Sequence, residues 1–240
     1  MRTPEALETP EDVMRRVTTE IVARSAKLAR RYHRSIFISK SAKGKGVDVQ
    51  TLDPSTTEGA SRLQAYLTSG GRHYTISGLG APEEPNAVNW RVVNLPFWRR
   101  SMLVVLVGVT FLMKGTPFKN RIFRMMGVHI GRNVEIMQLA WLDHFRPELI
   151  FVGDNTLIGA YSRFTVHAYE GCGKFRYGLI EIGSRCTIGA GTGIGPMMME
   201  DDVRTLPGTT VSPYLVRVKS GSVVGYNPPP VRLPDSPPTA

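Results

Sequence analysis

Aliphatic residues recur at every sixth position through much of the second half of the chain. Ile182, Ile188 and Ile194 fall six apart, and each is followed by a glycine, Gly183, Gly189 or Gly195. The same beat runs through Val152, Ile158 and Phe164, and before that through Ile130, Ile136 and Leu142. An alternating strand repeats every second residue and an amphipathic helix follows its own longer period, so a beat of six is neither. It predicts a parallel β-helix in which about three hexads make one coil. One aliphatic side chain per hexad points inward and stacks on its equivalent in the next coil, burying columns that a single coil leaves open. The following residue is expected at a tight corner, where glycine avoids a Cβ clash and permits positive φ. Leu206 continues the count and Glu200 breaks it. Because a buried, unpaired carboxylate is costly, the coil is expected either to bulge at Glu200 or to leave that side chain exposed or paired.

The first half has a different rhythm. Residues 10–34 read as one helix: Thr9 caps it, Pro10 fits the first helical position, and Glu11 and Asp12 suit the positive end. Met14, Val17, Ile21, Leu28 and Tyr32 form its apolar stripe, with arginines and Lys27 on the outer face. Residues 40–47 read as loop, 58–68 as a second helix stopped by Gly70 and Gly71, and 78–89 as a linker. The stretch Met102–Met113 is strongly apolar yet too short to span a bilayer unaided. Phe97, Trp98, Arg99 and Arg100 precede it and Lys114 follows it. This pattern suits an interfacial anchor, or a buried helix that packs against the β-helix or a neighbouring subunit. The proline-rich end is expected to be irregular. The chain therefore divides into an N-terminal helical and irregular extension (1–90), an apolar helix and connector (91–117), a β-helix (118–233) and a tail (234–240).

Bulk properties narrow the partners. The 240 residues carry a net charge of +10, with a pI near 9.9, which favours anionic partners. No groove-reading motif accompanies the charge, which argues against nucleic acid. A phosphorylated cofactor, an anionic membrane surface or a merely solvated basic face each accounts for it. Cys172 and Cys186 have no metal-type spacing; Cys186 lies inside a hexad and reads as a small buried apolar residue. The N-terminus lacks the apolar core of a signal peptide. A cytoplasmic protein is expected, with peripheral membrane contact through 97–114 as an added reading.

The run Ile-Gly-Ser-Arg-Cys-Thr-Ile-Gly-Ala-Gly-Thr-Gly-Ile-Gly-Pro (182–196) resembles the core of the left-handed β-helix hexapeptide-repeat acyltransferases. Val-Gly-Asp-Asn-Thr-Leu-Ile-Gly (152–159) resembles an earlier coil of that family, and Leu-Pro-Gly-Thr-Thr-Val (206–211) and 223–231 resemble its closing coils. The resemblance covers roughly residues 118–233 and is nearest to the maltose, galactoside and xenobiotic O-acetyltransferases. It implies a mainly β fold, a left-handed parallel β-helix, carrying an α-helical N-terminal extension. It also implies acetyl-CoA or another acyl-CoA as donor, no metal, and a homotrimer with sites between subunits.

The repeat is interrupted at Asp143–Leu149 and at Ala168–Leu179, and insertions in a solenoid often build its binding face. Each has a histidine at its edge, His144 and His167. O-acyl transfer needs a base to take the proton of the acceptor hydroxyl, and histidine titrates in the right range. The family's threonine–histidine element falls on Thr165–His167, so the resemblance assigns the base to His167. The "LD" pair of galactoside-type relatives falls on Leu142-Asp143, which makes Asp143 the candidate at the acceptor; it would orient the acceptor hydroxyl or polarise His167 from an adjacent subunit. Leu142-Asp143-His144 also resembles the "LDH" of serine acetyltransferase, which makes His144 the competing base. By the same resemblance the pantetheine arm of coenzyme A meets backbone at Gly189, Ala190 and Gly208, and its phosphates meet Arg204, Arg217, Lys219 and Arg232.

Met197-Met198-Met199 departs from the family pattern. It reads as filler of an irregular core, or as the lining of a longer acyl pocket. The expected acceptor is a hydroxyl of a sugar, glycolipid or other cell-envelope precursor. Two rivals stand beside this reading: a non-catalytic trimeric scaffold that docks through residues 1–90, and a γ-type carbonic anhydrase using His129, His144 and His167, whose spacings do not match that group.

Overall fold

The computed structural model describes residues 8–33, 35–40, 49–52, 56–79, 95–171, 173–211 and 217–225. All but Lys40 of the loop at 40–47, most of the 78–89 linker, Cys172, Arg232 and the proline-rich tail lie outside them.

The hexads form a three-sided parallel β-helix. Face 1 stacks β4 (His129–Ile130), β7 (Ile150–Val152), β12 (Ile180–Ile182), β15 (Met197–Met199) and β18 (Arg217–Val218). Face 2 stacks β5 (Glu135–Ile136), β8 (Leu157–Ile158), β13 (Thr187–Ile188), β16 (Arg204–Thr205) and β19 (Val223–Val224). Face 3 stacks β6 (Trp141–Leu142), β9 (Arg163–Phe164), β14 (Gly193–Ile194) and β17 (Thr210–Val211). Every pairing within the faces is parallel, with Leu142, Phe164, Ile194 and Val211 in line on face 3. All four are buried, as the columns require.

The count shifts after Ile194. Ile182 pairs with Met199, seventeen residues on rather than eighteen. Two residues, Gly195 and Pro196, turn the corner from β14 to β15, where the two preceding coils have long excursions. The inward positions of the next coil are therefore Met199, Thr205 and Val211, and Leu206 is left 39% exposed. Met197 and Met199 are buried in register with Ile180 and Ile182. They are core filler, and the acyl-pocket reading finds no support from those two side chains. Glu200 falls one place past the column, level with Gly183 in the coil above. It faces outward, paired with Arg217 and accepting the Ser220 N–H at 2.9 Å. That N–H and the guanidinium hold its carboxyl below the usual range.

The glycines after the columns are explained by stacking rather than by φ. A Cβ on Gly183 would lie 2.6 Å from the carbonyl carbon of Glu200 in the next coil. The left-handed corner sits two residues later, at Arg185 (φ 57°), as it does at Asn155 below Gly153. Coil separation is set by the backbone ladder, so Gly183→Ala forces backbone apart. We expect it to cost about 1–3 kcal/mol and to lower Tm by about 2–4 °C per kcal/mol, read by thermal unfolding.

The N-terminal segment is more than helix and loop. α1 (Pro10–Tyr32) is capped by Thr9, which accepts the Asp12 N–H at 3.2 Å. Its buried stripe matches the periodicity at Met14, Val17, Ile21 and Leu28, whereas Tyr32 is exposed. Arg15, Arg16 and Arg24 of its basic face are paired with Asp12, Glu8 and Glu20. β1 (Phe37–Ser39), β2 (Val49–Thr51), α2 (Thr57–Thr68) and β3 (His73–Ser77) follow. The second excursion is a hairpin, β10 (His167–Tyr169) and β11 (Phe175–Gly178), and β11 pairs with β3. The result is an antiparallel sheet in the order β10-β11-β3-β1-β2, built from both halves of the chain.

α3 (Phe97–Leu112) and α4 (Pro117–Met126) close the first coil. An open end of a β-helix presents unpaired backbone groups, and α4 satisfies several of them. Lys119 Nζ donates to the Met137 carbonyl at 2.7 Å, Asn120 Nδ2 to that of Val134 at 2.6 Å, and Arg124 Nε to that of Ile130 at 3.0 Å. Burial pushes the Lys119 ammonium down to about 8. α3 rests on the first coil through Leu103, Val107 and Thr110, and the Leu139 N–H donates to the Phe111 carbonyl. Leu106 and Phe111 are partly buried, and Trp98, Met102, Val105, Val109 and Leu112 are exposed. No described helix is long and apolar enough to cross a membrane.

Candidate active site

Both excursions leave the solenoid at the same corner, between faces 3 and 1, in consecutive coils. This follows from the repeat: Leu142 and Phe164 are aligned column residues, so the chain one to three residues beyond each must emerge side by side. Asp143 and His167 meet there, with His167 Nδ1 2.7 Å from Asp143 Oδ2.

Asp143 is fully engaged. Its Oδ1 accepts the Phe145 N–H at 2.8 Å, and its Oδ2 accepts the Val166 N–H at 2.9 Å as well as the His167 ring. A carboxylate is acceptor-only, so these partners place the proton on Nδ1 and leave the Nε2 lone pair free. Asp143 is 1% exposed. Asp143 was expected to orient the acceptor hydroxyl or to polarise His167 from an adjacent subunit; here its carboxylate meets His167 of its own chain.

His167 lies in an aromatic collar, with ring centroids at 4.4 Å from Phe145, 5.7 Å from Tyr169 and 5.9 Å from Phe175. Its side chain remains 22% exposed. The collar restrains the ring while leaving an edge accessible. Burial, and the charge of Asp143, raise the Tyr169 phenol above its ordinary value. The sequence analysis missed this collar. The signal for it was the alternation of Phe175 and Tyr177 in the second excursion, a strand pattern inside what read as a loop.

His144 sits differently. It is half-buried, packs edge-on against Trp141 at 5.5 Å, and its Nδ1 has no hydrogen-bond partner among the described residues. Burial is the main cause that pushes its imidazole below the ordinary value, and the charges of His167 and Arg100 act in the same sense. No carboxylate orients it, and Asp143 turns both oxygens elsewhere. His129 stacks flat on Phe151 at 4.1 Å on face 1. Among the described residues, no group of three or more His, Cys, Asp or Glu side chains converges as a metal site.

His73, which the sequence did not single out, closes the corner from β3. Its Nε2 donates to the Pro196 carbonyl at 2.9 Å, and burial pushes the ring below its ordinary value.

The expected donor-binding residues lie at another edge. Gly189 and Ala190 turn the corner between faces 2 and 3, and Gly208 lies in the coil after it. The Gly189 N–H is engaged by Thr205, and the Gly208 N–H donates to the Ala190 carbonyl at 2.7 Å. The Ala190 N–H makes no hydrogen bond among the described residues. Arg204 and Lys219 are exposed, while Arg217 is paired with Glu200. Within one chain the His167 corner and the Gly189 corner thus flank opposite edges of face 3.

No family model matches the chain. "Putative acetyltransferase YvoF" of Bacillus subtilis (strain 168) is 33% identical over 118 residues, which is 47% of this chain and 66% of that protein. The match thus spans just under two thirds of that relative. Among solved structures, a maltose O-acetyltransferase from Clostridium difficile 630 aligns with a TM-score of 0.39 at 16% identity, covering 55% of this chain and 83% of its own. A hexapeptide-repeat-containing acetyltransferase from Vibrio cholerae aligns with a TM-score of 0.43 at 15% identity, covering 53% and 85%.

Proposed function

We propose that this chain, a hexapeptide-repeat β-helix protein similar to an acetyltransferase, is an acyl-CoA-dependent O-acyltransferase with His167 as general base. The observation that carries the reading is the Asp143–His167 pair, with Nδ1 held by a buried carboxylate and Nε2 free at an accessible edge. Such a pair has one evident use, to accept a proton from a group placed against Nε2.

The chemistry follows from that placement. His167 Nε2 takes the proton of the acceptor hydroxyl as its oxygen attacks the thioester carbonyl. The C–S bond then breaks, the acyl group stays on the acceptor oxygen, and the imidazolium returns its proton to the departing thiolate. Asp143 remains ionised throughout and stabilises the imidazolium. No covalent enzyme intermediate is required. Acetyl-CoA is the donor that the relative suggests, and a sugar or envelope-precursor hydroxyl is the acceptor class.

The separation of the two corners supports a site shared between subunits. A closed ring of identical solenoids places the His167 edge of one copy against the Gly189 edge of the next. There the Ala190 N–H is a ready donor to the pantetheine arm, and Arg204 and Lys219 stand near the phosphates. The test combines light scattering with calorimetry. We expect a trimer that binds CoA once per chain, with affinity weakened about tenfold in a variant carrying Ala190→Pro, which removes that N–H. A monomer would rule out the shared site, and absence of CoA binding would favour a scaffold.

A further inference from the structure

α3 turns a continuous apolar stripe to solvent. Trp98, Met102, Val105, Val109 and Leu112 follow one another at steps of four and three, so they share one face of the helix, and each is exposed, Leu112 by 76% and Trp98 by 67%. Phe97 and, from α4, Phe118 and Met125 extend the same uncovered region, at 74%, 64% and 72% exposure. Apolar side chains scattered singly are ordinary, but a contiguous group on two packed helices marks a contact surface. Among the described residues, the buried side chains of α3, Leu103, Val107 and Thr110, lie on its opposite stripe.

The charge around this surface says what it meets. Residues 95–134 contain seven Lys and Arg and no Asp or Glu. Arg99 and Arg100 stand at the N-terminal end of the stripe, Lys114 just beyond its C-terminal end, and Arg121 between Phe118 and Met125. Lys114 and Arg121 are exposed, and Arg99 and Arg100 partly so. Aromatic and basic groups rimming an apolar helix face match a lipid surface with anionic headgroups. Two copies of this face brought together would instead set cations of one sign against each other.

The surface adjoins the candidate active site. Phe111 of α3 packs edge-on against Trp141 at 6.2 Å, Trp141 packs against His144, and Arg100 is close enough to influence the His144 imidazole. His144 directly follows the carboxylate that holds His167. We infer that the exposed face of α3 and α4 seats the protein on an anionic membrane surface, so that His167 works on an acceptor hydroxyl carried by a lipid at that surface. The second half of this inference rests on the acyltransferase reading above; the docking does not.

The test is flotation of the full chain with vesicles of phosphatidylcholine alone or of phosphatidylcholine with phosphatidylglycerol. The expected result is co-flotation with the anionic vesicles only, reversed by high salt because screening weakens the basic rim. A Val105→Glu, Val109→Glu variant, far from the catalytic pair in sequence and already solvent-facing, should float on the order of tenfold less well while unfolding at the same temperature. No flotation of the unaltered chain overturns the proposal, as does flotation that the double variant leaves intact. A large oligomer that the double variant dissociates, without flotation, would assign the face to contacts between copies and equally overturn it. For the acceptor, acyl transfer to vesicle-borne glycolipid should fall at least as far in the double variant as flotation does, while thioester hydrolysis stays unchanged. Flotation with no acyl transfer to any acceptor would keep the docking and sink the acyltransferase reading.

Discussion

His167→Ala is expected to lower acyl transfer by about 10²–10⁴-fold, the usual contribution of a positioned general base. CoA binding should change little, because the ring is not part of the Gly189 edge. The fall should therefore appear in kcat rather than in KM, followed through release of the free CoA thiol. Asp143→Asn tests the same unit from below. Its three hydrogen-bond donors, the Val166 and Phe145 N–H groups and the His167 Nδ1–H, all need an acceptor, and an amide nitrogen can replace neither oxygen without opposing one donor with another. The substitution then forces either the amide or the imidazole to turn, and turnover should fall by a comparable amount. His144→Ala is the control, with an expected loss of less than about tenfold. Near-normal turnover in His167→Ala, with loss in His144→Ala, would transfer the role to His144. Both histidine variants should unfold near the normal temperature, since His167 is partly exposed and His144 half-buried.

Arg146→Met should produce the largest loss of stability. Arg146 is 0% exposed and lies in the first excursion, three residues past Asp143. Its Nη1 donates to Glu20 Oε2 of α1 at 2.7 Å and lies 3.4 Å from Glu148 Oε1. Glu148 is itself buried. Methionine matches much of the stem volume but leaves the buried Glu148 without its cation, while Glu20 keeps its pairing with Arg24. Removing one partner of a buried ion pair costs about 3–5 kcal/mol, which corresponds to a fall in Tm of about 6–20 °C for a chain of this size. Pairing the change with Glu148→Gln should recover part of the loss, because the buried negative charge is then absent. Equal unfolding temperatures for the parent and Arg146→Met would show that the network contributes nothing net. The network also ties α1 to the excursion that carries Asp143. The N-terminal segment therefore helps position the Asp143–His167 pair from two sides, through Arg146 and through the β3–β11 pairing that anchors the hairpin of His167.

The hexad beat made the columns legible because each inward residue has the same neighbours above and below, so its identity is constrained locally and repeatedly. The break at Glu200 was legible as a break but not as a shift. A count of six carries no information about a corner that loses one residue, and only the Ile182–Met199 register shows Thr205 rather than Leu206 facing inward. The helix cap at Thr9 follows the same local logic, since capping is decided within a few residues.

The strands β1 to β3 were hidden for the opposite reason. Each is only three to five residues long, with too few positions to show alternation, and β11, which pairs with β3, is about a hundred residues away in sequence. Long-range pairing of that kind leaves no local period to read. The fate of the apolar stretch was undecided for a similar reason: composition identified an apolar helix but could not say which side of it the first coil would cover.

By itself, then, the sequence determined the solenoid, the corner from which both excursions emerge, and the three residues, Asp143, His144 and His167, that meet there, because a repeat converts spacing directly into position. Only the tertiary structure decided how their side chains are arranged. The carboxylate of Asp143 meets the imidazole of His167 and not that of His144, an arrangement set by an aromatic collar and an N-terminal sheet that no spacing records.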